Sequence, residues 1–137
     1  MSIELFHIPV RVYIEDTDAG GIVYYVNYLK YMERARTDMF RAMGYSKPAL
    51  FAADKMFVVH SLSVDYLASA NLDDALTITA SIKKAGRTYV LFEQRVERGD
   101  ELLCTGEVKV ACVLKSSGKP AAMPSEMIDK IVAAQHC

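Results

Sequence analysis

Residues 15–28 read EDTDAGGIVYYVNY, and this stretch joins a polar turn to the start of a helix. Its first seven residues include three acids and two adjacent glycines, a composition that favours a tight turn. Asn27 suits the N-cap of a helix, and Gly44 suits the stop after its last turn. Between them, apolar residues recur at helical spacing at Tyr28, Met32, Ala35, Met39 and Met43. The pattern predicts a long helix that packs against a sheet.

Strand patterns lie on both sides of this helix. Residues 9–14 are rich in β-branched and aromatic side chains and predict a first strand. Apolar and polar residues alternate after residue 57, in four half-buried segments at 58–66, 76–82, 90–96 and 104–114. Turn signals at 85–86 and 99–100 predict that the last three strands form an antiparallel meander. A short C-terminal helix is expected to begin at Ser125.

This order of elements predicts an α+β fold in a single domain, residues 1–137, because one antiparallel sheet can bury the long helix on one face. The open edges of such a sheet favour a homodimer. A net charge of −1 without a basic block argues against a nucleic-acid partner. No apolar run approaches the ~20 residues of a membrane span, and residues 1–8 lack the features of a secretory signal. We therefore expect a cytoplasmic protein without a membrane span.

The three cysteines, Cys104, Cys112 and Cys137, are odd in number and widely spaced. They form no CxxC pair and no Cys/His cluster of the kind that binds a metal. We interpret them as small buried apolar side chains, with a catalytic thiol or a disulfide as the alternatives. The sequence implies neither a metal nor a redox cofactor.

The turn at 15–21, the segment 22–28 and the helical Glu-Arg-Ala-Arg at 33–36 together resemble the 4-hydroxybenzoyl-CoA thioesterase family. Within that family, the sequence is most similar to the Tol-Pal-associated acyl-CoA thioesterases. The resemblance is strong from about residue 10 to residue 44 and looser through the strands. It implies a hotdog fold, in which a curved antiparallel sheet wraps a long central helix. It also implies a homodimer, often paired into a homotetramer, with active sites at the subunit interface.

The activity implied by this resemblance is hydrolysis of an acyl-CoA thioester to a carboxylic acid and free CoA, without a cofactor. Asp18 matches the catalytic aspartate of the family, and it can either attack the carbonyl or act as a base on water. The backbone N–H of Tyr25 matches the oxyanion donor, a role that suits the unpaired N–H groups at a helix N-terminus. The branch commonly has histidine at position 25, so Tyr25 leaves proton handling and substrate preference open, whereas the backbone role is unaffected. From the residues alone, Asp16 and Asp18 could also form side-chain-to-backbone turns, and Asp16 and Glu15 are expected to be structural or solvated.

Two further residues are candidates for substrate binding. His60 falls on the apolar face of the predicted second strand. It is expected to be a hydrogen-bonded core residue, and the alternative is that it lines an acyl pocket or orients water. Lys83, Lys84 and Arg87 flank a turn where the family holds CoA phosphates, and only Arg87 aligns well with the family's basic run. A solvated turn without a ligand is the alternative. Glu33 is a reserve candidate for a catalytic acid, with a salt bridge as its alternative role.

Two other functions fit the same pattern. One is a related enzyme, such as a hydratase-like protein or a thioesterase with an acyl carrier protein as its partner. The other is a non-catalytic homo-oligomeric module that binds an acyl carrier or a membrane-associated partner. Fold alone does not separate these alternatives.

Overall fold

The structure is a computed structural model that describes residues 6–44 and 54–135. Within these ranges, one five-stranded antiparallel sheet in the order β1-β3-β4-β5-β2 carries two α-helices. The elements are β1 (Phe6–Arg11), α1 (Tyr25–Ala42), β2 (Lys55–Tyr66), β3 (Ala75–Ala85), β4 (Tyr89–Arg98), β5 (Glu101–Leu114) and α2 (Ser125–Gln135). The predicted α+β class and the β3-β4-β5 meander are confirmed. Neither described helix is long and apolar enough to cross a membrane.

The long helix α1 buries one face against the sheet. Its buried apolar residues are Tyr28, Tyr31, Met32, Ala35 and Met39. They join the inward side chains of β3, β4 and β5 in one core. Gly106 in β5 allows close approach, because a Cβ there would lie 3.0 Å from the Met32 sulfur. The sheet therefore fixes the position of the first two turns of α1.

A buried polar bridge also joins α1 to the sheet. Arg36 is only 8% exposed, and its guanidinium donates to the side-chain oxygen of Gln94 at 2.9 Å. The Gln94 amide donates in turn to the carbonyls of Met32 and Thr79, at 2.9 and 3.2 Å. Burial lowers the pKa of Arg36. Gln94 therefore satisfies a charged donor and two backbone acceptors at once.

We expect Gln94→Leu to lower the free energy of unfolding by about 3 kcal/mol, because it leaves the buried Arg36 guanidinium without its acceptor. Urea denaturation followed by circular dichroism measures this change. The double variant Arg36→Met/Gln94→Leu should recover part of the loss, since it removes both polar partners. A double variant less stable than Gln94→Leu would show that the bridge is not the cause.

Two predicted boundaries at the start of the chain are wrong. The first strand is Phe6–Arg11, not 9–14, and Ile14 begins a 3-10 turn (Ile14–Asp16) in which it is exposed. The chain turns there because the Asp16 carboxylate accepts the N–H of Tyr13 at 3.0 Å. Asn27 is not the N-cap, since α1 begins after Tyr24 and the Asn27 side chain is buried against Asp16. The predicted stop at Gly44 agrees with its positive φ of 94°.

The alternation predicted for the second strand is wrong at His60. A register shift between Val59 and Ser61 makes His60 an extra residue in β2. Val58 pairs with Ala111 and Leu62 with Val108, and directly opposed residues share a face. Because Ala111 and Val108 are three residues apart in a strand, Val58 and Leu62 face opposite sides of the sheet. His60 therefore does not belong to a continuous apolar face from residue 58 to residue 64.

Candidate active site

Asp18 begins a tight turn immediately before α1. Its backbone N–H donates to the Ile22 carbonyl at 2.9 Å, and its carbonyl accepts the Gly21 N–H at 3.2 Å. One carboxylate oxygen, Oδ1, accepts the Gly20 N–H at 2.8 Å. Gly21 has a φ of 81°, a conformation that glycine adopts without strain. Within the described ranges, the exposed Asp18 side chain uses only Oδ1, so Oδ2 remains available for chemistry.

The N-terminus of α1 lies at the end of the same turn. Its N-cap, Tyr24, makes no capping hydrogen bond through its side chain. The Tyr24 N–H donates to the Asp16 carbonyl at 2.9 Å, and the Asn27 N–H donates to the Tyr24 carbonyl at 2.8 Å. The N–H of Tyr25 has no acceptor among the described residues. It lies at the positive end of the helix dipole, where a developing oxyanion is stabilised.

A second turn, residues 71–74, supports the Asp18 turn from the side of the sheet. The Leu72 N–H donates to the Gly21 carbonyl at 3.2 Å, and Asn71 forms a bridge with Ile22. Asp74 closes this second turn by accepting the Asn71 N–H at 2.8 Å and pairing with Arg98 at 2.6 Å. Burial alone would raise the pKa of Asp74, but the Asn71 N–H and Arg98 lower it. The net direction is down. The Asp18 turn is therefore held in place from outside its own segment.

Aromatic side chains lie at the start of α1, and the sequence did not identify Tyr28 and Tyr66 as neighbours of the candidate site. The Tyr66 hydroxyl donates to the Tyr25 carbonyl at 3.2 Å, and its ring meets the Tyr25 ring edge-on at 6.1 Å. Tyr28 packs against Tyr66 at 5.6 Å, and its hydroxyl accepts the Ala70 N–H at 2.9 Å. Burial is the main cause of the raised pKa of both Tyr28 and Tyr66. These phenols are hydrogen-bonding and packing groups and stay protonated near neutral pH.

Within one chain and among the described residues, neither candidate side chain for substrate binding forms a hydrogen bond with the Asp18 turn. His60 is exposed on β2, where its Nδ1 lies 3.4 Å from the Ser61 hydroxyl. Arg87 is exposed in the turn after β3, whereas the turn beside Asp18 comes immediately before β3. The eleven residues of β3 therefore separate these two turns by roughly 33 Å along the strand. Lys83 pairs with Glu107 and, at 4.0 Å, with Glu93, so other groups already balance its charge.

The described cysteines are buried thiols. Cys104 and Cys112 are buried and unpaired, as the sequence predicts, and burial raises the pKa of both thiols, to about 12 at Cys104. Cys137 lies outside the described residues. No group of three His, Cys, Asp or Glu side chains within residues 6–44 and 54–135 is placed to hold a metal ion.

A cleft of about 860 Å³ lies beside the outer face of α1 and along β1. Among its lining residues are Tyr13, Glu15 and the candidate acid Glu33, but neither Asp18 nor Tyr25. Because both basic and acidic residues line it, the cleft has no clear preference for one charge. The turn and helix N-terminus described above therefore remain the candidate site.

Comparison with known proteins identifies the family of the chain. The model of the thioesterase superfamily matches residues 20–105. The chain belongs to this superfamily. It is 43% identical over 123 residues to the acyl-CoA thioesterase YbgC of Haemophilus influenzae, covering 89% of this chain and 90% of that protein. It is 44% identical over 129 residues to the acyl-CoA thioester hydrolase YbgC of Escherichia coli O6:H1, covering 93% and 96%.

The fold is confirmed as the hotdog fold of this superfamily. A Staphylococcus aureus protein solved in complex with CoA superposes with a TM-score of 0.92 at 18% identity, covering 99% of this chain and 87% of that one. The resemblance found in the sequence is confirmed, and the chain is an enzyme of the thioesterase class.

Proposed function

We propose that this enzyme hydrolyses acyl-CoA thioesters and releases a carboxylic acid and free CoA. Two observations carry the proposal: Asp18 has a carboxylate oxygen without a hydrogen bond among the described residues, and the N–H of Tyr25, seven residues later, has no acceptor there. The names of the YbgC relatives favour CoA thioesters as substrates.

In this proposal the Tyr25 N–H binds the thioester carbonyl oxygen as negative charge develops on it. Such a donor contributes about 2.7–4 kcal/mol to lowering the barrier. Asp18 either attacks the carbonyl carbon, forming a mixed anhydride that water then opens, or takes a proton from the attacking water. In both routes the C–S bond breaks and CoA leaves as a thiolate. The backbone supplies the oxyanion donor, so histidine is not required at position 25 for that step.

The active assembly in this proposal is a homodimer formed through the open edge of β2. This strand is twelve residues long, and in the single chain it exposes apolar side chains, including Val59, Leu62 and Tyr66. The opposite edge, β1, has only six residues, and Pro9 removes one of its backbone donors. An exposed apolar edge favours pairing with another strand, so β2 is the better interface.

A two-fold axis perpendicular to the sheet would pair the two β2 strands antiparallel. We call the end of the sheet where β3 begins the Asp18 end, and the end where β3 finishes the Arg87 end. In β2, Tyr66 pairs with Cys104 at the Asp18 end, whereas Lys55 pairs with Leu114 at the Arg87 end. Antiparallel pairing therefore puts the Arg87 end of one subunit beside the Asp18 end of the other. In this arrangement Arg87 binds CoA phosphates, and His60 lines the acyl pocket, for the site of the partner subunit.

Pairing of two dimers into a homotetramer, and a cytoplasmic location, belong to the same proposal. The two buried, unpaired cysteines are compatible with a reducing compartment.

The test uses purified full-length protein with short-chain, aromatic and long-chain acyl-CoAs, and with the same acyl groups on an acyl carrier protein. Thiol release is followed with a thiol-reactive dye. We expect at least one acyl-CoA to be cleaved with a kcat/KM well above that of the carrier-bound acyl group. Faster cleavage of the carrier-bound group would identify an acyl-carrier-protein thioesterase. Binding of acyl-CoA without any thiol release would identify a non-catalytic module.

A further inference from the structure

Asp16 is a buried acid that the proposed chemistry does not use. It is 7% exposed and ends the 3-10 turn two residues before Asp18. Its Oδ2 accepts the Tyr13 N–H at 3.0 Å, and its Oδ1 accepts the Asn27 side-chain amide at 2.9 Å. Its backbone carbonyl accepts the Tyr24 N–H at 2.9 Å. One residue therefore links the chain before the Asp18 turn to the N-cap and the first turn of α1.

Tyr31, one helical turn after Asn27, adds a second buried group to this cluster. Its hydroxyl is buried and has no hydrogen-bond partner within the described part of the chain. The pKa of Tyr31 is raised, first by burial and then by the neighbouring Asp16 carboxylate. The carboxylate thus faces the first two turns of α1, near the positive end of the helix dipole, where an anion is stabilised.

We infer that Asp16 is a positioning residue, which holds the Asp18 turn and the Tyr25 N–H at the separation that a thioester carbonyl requires. This inference rests on the proposed function. Both carboxylate oxygens of Asp16 already accept hydrogen bonds from the protein, which suits a residue that holds other groups in place. Its loss would let the turn and the helix N-terminus shift independently. A misplacement of about 1 Å in such a site costs on the order of a hundredfold in rate.

The first test measures kcat and KM for Asp16→Ala and Asn27→Ala, which break the same contact from opposite sides. We expect kcat to fall by about 10- to 100-fold in each, with KM within about twofold of the parent enzyme. Circular dichroism at the assay temperature establishes that each variant is folded. Should Asp16→Ala not fold, Asn27→Ala decides by the same criterion. A folded variant whose kcat stays within about twofold of the parent value overturns the inference.

The second test exchanges the two polar groups in the double variant Asp16→Asn/Asn27→Asp. A carboxylate at position 27 then accepts from the amide at position 16, whose oxygen still accepts the Tyr13 N–H. We expect kcat to recover to within several-fold of the parent value, since the contact is restored with its polarity reversed. A double variant no more active than Asn27→Ala would overturn the inference.

Hydrogen exchange separates this inference from the proposed function. In folded Asn27→Ala we expect the Tyr13 and Tyr24 amides to exchange faster, while amides in β4 are unchanged. Exchange rates equal to those of the parent would contradict a positioning role for Asp16. This measurement needs no substrate, so it remains decisive even if Asp18 proves not to be catalytic.

Discussion

Asp18→Asn is expected to lower kcat at least about a hundredfold while leaving the fold and the assembly intact. The asparagine side-chain oxygen can still accept the Gly20 N–H that Asp18 Oδ1 accepts at 2.8 Å, so the turn is preserved. What is lost is the negative charge and the free oxygen Oδ2, which the proposed chemistry needs as nucleophile or base. Steady-state thiol release from the best acyl-CoA measures the change.

Glu15→Gln is the matched control for this prediction. It removes the same charge three residues earlier, from an exposed side chain outside the turn that contains Asp18. We expect its kcat to stay within about twofold of the parent enzyme. Equal activity of Asp18→Asn and the parent would remove Asp18 from the mechanism. A comparable loss in Glu15→Gln would indicate that net charge, and not position 18, controls the rate.

The elements predicted best are those whose signal is local. The apolar repeat of α1 and the alternation in β3, β4 and β5 each report burial of one face, and the structure confirms them. The bulge at His60 was not predictable, because the pairing of β2 with β5 depends on residues about 50 positions apart. A strand with an extra residue has the same local composition as one without it.

The candidate site was predictable only in part, for a related reason. Asp18 and Tyr25 lie within one contiguous motif, so a single stretch of sequence identifies both. Tyr66 comes from a different strand, 41 residues from Tyr25, and no spacing rule connects the two. Asp16 was expected to be structural or solvated. It is buried because Asn27, the residue predicted to cap α1, instead contacts its side chain.

Leu62→Asp is expected to separate the proposed homodimer into monomers and to abolish thioesterase activity. Leu62 is 47% exposed in the single chain, on the open edge strand, so the substitution is tolerated within one subunit. In the dimer, it would remove the burial of a leucine, about 1.5–3 kcal/mol, and bring an unpaired carboxylate into an apolar interface. Because the proposed dimer has two-fold symmetry, both copies of the substitution lie at the same interface. We expect the dimer dissociation constant to rise by far more than about a hundredfold, which corresponds to about 2.7 kcal/mol.

Val132→Asp is the matched control, because Val132 on α2 is 42% exposed and lies outside the proposed interface. It should remain a dimer with normal activity. Light scattering after gel filtration gives the mass of each variant, and circular dichroism verifies the fold. We expect Leu62→Asp to lose its activity together with the dimer. Within one chain the full length of β3 lies between Arg87 and Asp18, so a monomer cannot bring them to one site. A folded Leu62→Asp monomer that hydrolyses acyl-CoA at the parent rate would show that the site is complete within one chain. Arg87 and His60 would then have no part in it, whereas Asp18 and Tyr25 could still act together.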